Sequence, residues 1–307
     1  MKRGAPLLIP AAGVLWGILG IFVRRLNESG LASMDIVWIR AAVTTLVLLP
    51  ILFLRRKGEW RIRLRDLGCF LGTGIGSIVF FNFCYFQAVA ITSLSVAAVL
   101  LYTAPAFVIV LSALFFKEKI TGGKIAALLL TLFGLMLVTG MIGSGTRLSL
   151  QGLLFGLGAG LGYALYSIFG RFAIQRGYRP LTITFYTFLV AAVASAFLTG
   201  LPRITGAFLA DPALLVPAVF LGVLCTVAPF ALYTTGLQHV ENGAASIMAS
   251  IEPVTSTVAG ARGYWEEAPP LWRGALACKP GRRCPGSCGG CARQPPGAEQ
   301  AMMKWRA

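Results

Sequence analysis

A glutamate followed by a proline, Glu252-Pro253, interrupts an apolar run in the last third of the 307-residue chain. A carboxylate inside hydrocarbon is costly, so it is kept where it faces a cavity or a partner group. Two chemistries suit it: holding a substrate amine, or taking up and releasing a proton near pH 7. The structural alternative is a carboxylate that snorkels or bonds a neighbouring helix. Arg40, six residues into another apolar run, carries the planar fork that grips a carboxylate with two hydrogen bonds. It could equally form a structural ion pair with Asp35. Pro105 and Pro253 each remove a helical hydrogen bond and free a carbonyl, which marks them as hinge positions or as plain packing kinks. Trp16, Asn82, Tyr85, Tyr102, Tyr163, Tyr166 and Tyr233 are further polar-tipped or aromatic residues within apolar runs. Aromatics with a hydroxyl suit amphipathic solutes and cations, so these seven complete a candidate cavity. Tyr178 and Trp38 fall near run ends and read as an interfacial belt. His239, the one histidine, sits in a link and has no ligand spacing.

The elements that must position these residues follow from composition. The chain is 57% hydrophobic and 12% charged, against roughly 25% charged in a soluble domain. Too little polar surface remains to cover a soluble globule, so the solvent is a bilayer. A spanning helix needs about 20 apolar residues. Runs of that length fall at about 7–26, 33–54, 67–90, 93–116, 121–141, 150–172, 180–200, 212–236 and 242–261. Strands are excluded because they would alternate in polarity over about 10 residues. The first run continues to Val23 and ends in Arg24-Arg25, so it reads as a retained span and not as a cleavable signal.

The net charge of +16 does not point to nucleic acid, because the basic residues cluster in links between spans. With the N-terminus in the cytoplasm, fourteen Lys and Arg fall on the inner side: Lys2, Arg3, Arg55, Arg56, Lys57, Arg61, Arg63, Arg65, Lys117, Lys119, Lys124, Arg171, Arg176 and Arg179. Four fall outside: Arg24, Arg25, Arg147 and Arg203. That bias orients the N-terminus inward.

The chain also repeats itself. Tyr85 to Pro105 corresponds without a gap to Tyr233 to Pro253 at an offset of 148, pairing Ala97 with Ala245 and Leu100 with Met248. Upstream, Gly13 to Arg24 matches Gly160 to Arg171 at an offset of 147. Five helices per copy is odd, so the second copy enters from the opposite side. Such inverted repeats place a substrate site near the midplane. Glu252 breaks the symmetry, since its counterpart is Ala104. Glycines recur every four residues at Gly68, Gly72 and Gly76, and at Gly152, Gly156 and Gly160. They predict close helix packing; neither set carries the Lys-Ser/Thr of a phosphate loop.

The sequence resembles the EamA-type branch of the drug/metabolite transporter superfamily. The resemblance rests on Leu15-Trp16-Gly17, Arg40, the run from Ala88 to Pro105, Lys117-Glu118-Lys119-Ile120-Thr121, and Ala244 to Pro253. It covers residues 1 to about 260. It implies an all-α membrane protein of ten helices in two inverted halves, and alternating-access transport of metabolites or amino-acid-like solutes without a cofactor.

The chain departs from that pattern after the ninth span. About nine spans are expected here: residues 1–141 as a first five-helix repeat, 150–261 as helices six to nine, and 262–307 as an aberrant tail rich in Cys, Gly, Pro and Arg. The tail is expected to be disordered or the product of a frameshift, with a tenth helix lost. Cys288-x-x-Cys291 with Cys278 and Cys284 could suggest a zinc knuckle, but one tight couplet without a histidine makes no site; no metal is expected. Cys69, Cys84 and Cys225 read as small packing residues.

The function expected is secondary transport across the inner or plasma membrane. The partners are a small solute and the lipid bilayer, with transport driven by protons or by exchange of solutes, and the coupling ion and the oligomeric state stay open. One rival is an inactive truncated product. Another is a membrane-embedded enzyme, which would need clustered acids, histidines or a metal pair at one membrane face.

Overall fold

The structure is a computed structural model that describes residues 5–54, 61–138 and 149–263. Those residues form helices and connecting turns. In order they are α1 (Leu8–Glu28), α2 (Ser33–Leu54), α3 (Leu64–Ile91), α4 (Leu94–Leu101), α5 (Ala104–Phe116), α6 (Gly122–Val138), α7 (Leu150–Gln175), α8 (Pro180–Ala196), α9 (Leu201–Ala210), α10 (Pro212–Leu237), α11 (Asn242–Ala249) and α12 (Glu252–Gly263). Among the described residues six helices are long and apolar enough to cross a membrane. These are α1, α2, α3, the α4–α5 pair, α7 and α10; α8 with α9 would make a seventh, but the two are bent by 102°. Leu46, Phe53, Leu114, Leu130, Phe133, Leu154 and Val193 are exposed. An apolar outer surface of this extent suits lipid and would be a liability in water.

The expected runs become helices with three differences. The run at 93–116 is not one helix: it breaks at Tyr102–Thr103, after Ser93 has capped its start by accepting the Val96 amide at 3.2 Å. The run at 242–261 breaks likewise at Ser250–Ile251. Both prolines follow these breaks, Pro105 and Pro253 each standing second in a new helical piece. A proline is tolerated there because the first turn has no intrahelical use for its N–H. Its absence still strips the carbonyls of Leu101 and Ala249, four residues back, of their usual donors. The third difference is at the run 180–200, whose helix α8 already ends at Ala196, and in the link after it, which forms the short helix α9 bent away from α8 by 102°.

Segment boundaries recur at a fixed interval. The 3-10 turns Leu64–Asp66 and Pro212–Leu214, the π-helical stretches ending at Val79 and Val227, the α-helical pieces beginning at Phe80 and Ala228, the pieces Leu94–Leu101 and Asn242–Ala249, and the starts at Ala104 and Glu252 are all 148 residues apart.

The core forms around α7, which packs on α3, α4 and α5, and around α2 against α8. Glycines permit the closest approaches, at fewer positions than the four-residue stripes suggested. A Cβ on Gly72 would come within 2.4 Å of Phe169, and one on Gly156 within 2.3 Å of Leu100. Gly68 has open space and Gly76 only an ordinary contact, whereas Gly74 lies tight on Val190 and the Thr187 carbonyl.

Candidate functional site

The candidate residues converge on the two helix breaks. Gly160 of α7 lies where a Cβ would sit 3.1 and 3.2 Å from the Leu100 and Leu101 carbonyls, at the α4–α5 break. Gly13 of α1, its sequence counterpart, lies where a Cβ would sit 2.9 Å from the Ala249 carbonyl at the α11–α12 break. Each break is thus covered by a glycine of another helix, at the carbonyl that a proline has deprived of its donor.

Glu252 opens α12 beside its break and is half-buried. Tyr163 of α7 donates its hydroxyl to the Glu252 carboxylate at 3.3 Å, and Tyr102 lies within electrostatic reach of the same carboxylate. Tyr85 of α3 stacks near Phe81, which contacts Tyr163 edge-on at 5.7 Å. Between Tyr102, Ala104, Pro105, Tyr163, Ser246 and Ser250 the free space is about 10 Å³, scarcely one water molecule. The space between them is closed, and Glu252 is not among the residues lining it.

An aromatic column runs from there to Arg40. Trp16 meets Tyr163 at 6.5 Å, Phe230 at 5.1 Å and Tyr233 at 5.4 Å between ring centres. Phe230 meets Phe188 edge-on at 4.9 Å, and the Arg40 guanidinium lies 6.0 Å from the Phe188 ring. Arg40 is 8% exposed, and its Nε has no hydrogen-bond partner. The expected alternative, a pair with Asp35, is taken up elsewhere. Asp35, 1% exposed, accepts the Ala32 and Gly200 amides at 3.0 and 2.9 Å and pairs with Arg203 at 3.4 Å.

Other expected cavity residues have structural partners. Tyr166 and Thr234 share a hydroxyl hydrogen bond at 2.8 Å, as do Tyr233 and Ser167. Asn82 donates to the Ile78 carbonyl of its own helix at 2.7 Å. The structure therefore gathers Trp16, Tyr85, Tyr102, Tyr163 and Glu252 with both prolines. It places Tyr166 and Tyr233 on the wall behind Trp16, and Asn82 within its helix. Tyr178 donates to Asp66 at 2.6 Å and accepts the Arg63 amide at 3.0 Å, tying the start of α3 to the end of α7.

A second constellation was not singled out from sequence. Glu118, its side chain 8% exposed, accepts the Asn242 and Gly243 amides at 2.9 and 3.2 Å at the N-terminus of α11. Lys124 of α6 and Arg171 of α7 lie 3.7 and 3.8 Å from its carboxylate. Arg171 also donates to the Leu237 carbonyl. Asn242 reaches across to the Ser167 carbonyl at 3.3 Å. An anion at a helix N-terminus satisfies free amides and complements the helix dipole. This clasp borders a cleft of about 690 Å³ lined by Phe116, Lys117, Arg171, Gln175 and Glu241. The sequence signal was Arg171, whose repeat match to Arg24 was visible without its partner.

Comparison with known proteins adds the family. The sequence pattern of the EamA-like transporter family matches residues 4–140 and again 150–270. An uncharacterized transporter of Archaeoglobus fulgidus is 32% identical over 265 residues, covering 85% of this chain and 87% of that protein. The Bacillus subtilis uncharacterized transporter YxxF is 25% identical over 267 residues, 84% of this chain and 81% of its own. A crystal structure at 17% identity superposes with a TM-score of 0.71 over 90% of this chain and 94% of that one, a likeness of fold alone. A pattern that matches most of the chain, in two consecutive copies, on a multi-pass helical membrane protein means that the chain belongs to the EamA-like transporter family, whose work is transport and not catalysis.

Proposed function

We propose that this protein is a secondary transporter that moves small metabolites or amino-acid-like solutes across the inner or plasma membrane by alternating access. The observation that carries the proposal is Glu252: a carboxylate at a helix break, held by the Tyr163 hydroxyl, with no cation within 4.0 Å among the described residues. Polar groups and broken helices at membrane depth are tolerated where they line a solute path.

The halves are 1–141 and 150–261, related as an inverted repeat. The 148-residue interval between segment boundaries and the twofold family match support that division. So do the paired glycine contacts, in which each half covers a break in the other. Nine spans are the natural count, with α4–α5 as the fourth, α6 as the fifth and α11–α12 as the ninth. The inner charge excess, fourteen against four, supports a cytoplasmic N-terminus and puts the Glu118 clasp on the cytoplasmic side. The proposed tail, 262–307, starts inside α12, which runs to Gly263; its residues from 264 onward, with the cysteines, lie outside the described residues.

Glu252 is also the proposed proton-coupling group. The titratable and charged groups acting on it are Tyr163 from α7, Tyr102 at the α4–α5 break, Tyr85 from α3 and Arg40 from α2. The test is counterflow of a radiolabelled amino-acid mixture in proteoliposomes under imposed pH gradients. The wild type is expected to respond to the gradient, and Glu252→Gln to lose at least about tenfold in rate, about 1.4 kcal/mol, with a flat pH response. An unchanged pH response in Glu252→Gln at equal protein content removes the coupling role.

A further inference from the structure

The cleft of about 690 Å³ beside the Glu118 clasp carries more positive charge than the clasp consumes. Glu118 lies between Lys124 and Arg171, and Glu241 pairs with Lys124 at 2.7 Å. Two acids thus balance two cations. Lys117 and Lys119 also line the cleft, and both are exposed. Neither has an acid within 4.0 Å among the described residues. Lys117 stands at a φ of 55°, the left-handed turn that ends α5 and begins the short link carrying both lysines.

The cleft also joins an apolar wall. Phe116 lines it and packs on Phe172 of α7 at 4.8 Å between ring centres, and Phe172 meets Phe115 edge-on at 5.8 Å. Phe115 is 53% exposed and Leu114 beside it 70%, on the outer surface that suits lipid. Two unmatched cations beside an exposed aromatic wall fit a molecule with an anionic head and an apolar tail. A soluble phosphate ester would use the lysines and leave the wall bare. We propose that the cleft is a site for an anionic phospholipid, with its phosphate on Lys117 and Lys119 and an acyl chain along Leu114, Phe115 and Phe172. Basic pockets between spanning helices take lipid head groups in this way, and each ammonium–phosphate contact is charge-assisted. The lysines come from the link after α5, and Arg171 and Gln175 on the same cleft from α7, so the bound lipid bridges the two beside the N-terminus of α11. In the proposed orientation this is the inner leaflet. The site does not depend on which solute is carried.

The experiment is native mass spectrometry on the full chain purified in detergent, with phosphatidylglycerol and phosphatidylcholine of equal chain length supplied together. One phosphatidylglycerol per chain is expected to be retained with a preference of at least about tenfold. The double variant Lys117→Gln, Lys119→Gln should erase that preference. Its melting temperature should stay near the wild-type value, since both side chains are exposed. Lys119→Gln alone leaves the turn at Lys117 untouched and should already lower the preference, which keeps the test open if the double variant folds poorly. Arg63→Gln with Arg65→Gln removes the same charge from exposed residues at the start of α3 and should leave the preference intact. Excess glycerol phosphate should not displace the lipid.

The proposal is overturned if phosphatidylcholine is retained as well as phosphatidylglycerol, or if the lysine variants keep the preference. An equal loss in the arginine variant would mean attraction to the whole basic face, and no site. Displacement by glycerol phosphate would give the cleft to a soluble phosphate ester and remove the lipid.

Discussion

At the scale of single residues, Gly13 and Gly160 are informative because the missing atom is the functional part. On Gly160 a Cβ would sit 2.7 Å from the Thr103 Oγ and 3.1 Å from the Leu100 carbonyl. The Thr103 side chain is itself anchored on that carbonyl at 2.6 Å, so neither neighbour yields freely. Overpacking of this kind costs about 1–3 kcal/mol. Gly160→Ala is therefore expected to lower thermal stability by that amount, whereas Gly68→Ala, in open space, should not; equal effects on melting temperature would contradict the close-approach account. The chemistry at this scale was partly legible. Glu252 stood out because a charge in an apolar run needs a reason, and Trp16, Tyr102 and Tyr163 did gather beside it. Asn82, Tyr166 and Tyr233 looked equivalent to them in sequence. Spacing along one helix does not reveal which hydroxyl will meet Thr234 or Ser167 on another.

At the scale of elements, the half-helices depend on what holds their ends. α11 is eight residues long, too short to be stable alone. Its N-terminus is held by Glu118 of the link after α5, with Lys124 and Arg171 completing the charge balance. Glu241 pairs with Lys124 at 2.7 Å but is 58% exposed, so it adds little. Glu118→Gln removes the charge that both cations face while keeping the shape. It is expected to cost about 1–3 kcal/mol and to speed hydrogen exchange at the Asn242 and Gly243 amides. Unaltered exchange there would mean that α11 is held by packing alone. The sequence presented Glu118 only as one charge in a basic link, because its partners lie 124 and 125 residues away. The helix breaks were half visible in the same way: prolines marked the places, but they also permit a mere kink, and only the surrounding helices decide.

At the scale of the whole molecule, the membrane assignment needed nothing beyond composition, since 12% charge cannot cover a soluble surface of this size. The order of spans was also legible, because each is a long apolar run closed by polar links. Orientation is argued from summed loop charge and can be measured the same way. Single cysteines placed at Gly177 and at Gly206 in a cysteine-free background should react with an impermeant maleimide from opposite sides, Gly177 from the cytoplasm. Labelling of both from one side would invert or break the proposed topology. The aberrant sequence after residue 263 was plain from composition, and it falls outside the described helices.

The breaks at Tyr102–Thr103 and Ser250–Ile251 bear on how such a protein diversifies. Their polarity belongs to the main chain: a proline four residues on denies the Leu101 and Ala249 carbonyls the amide that a continuous helix would supply, whatever side chains stand nearby. Substitutions around the chamber can then exchange one solute for another while this anchor is inherited unchanged.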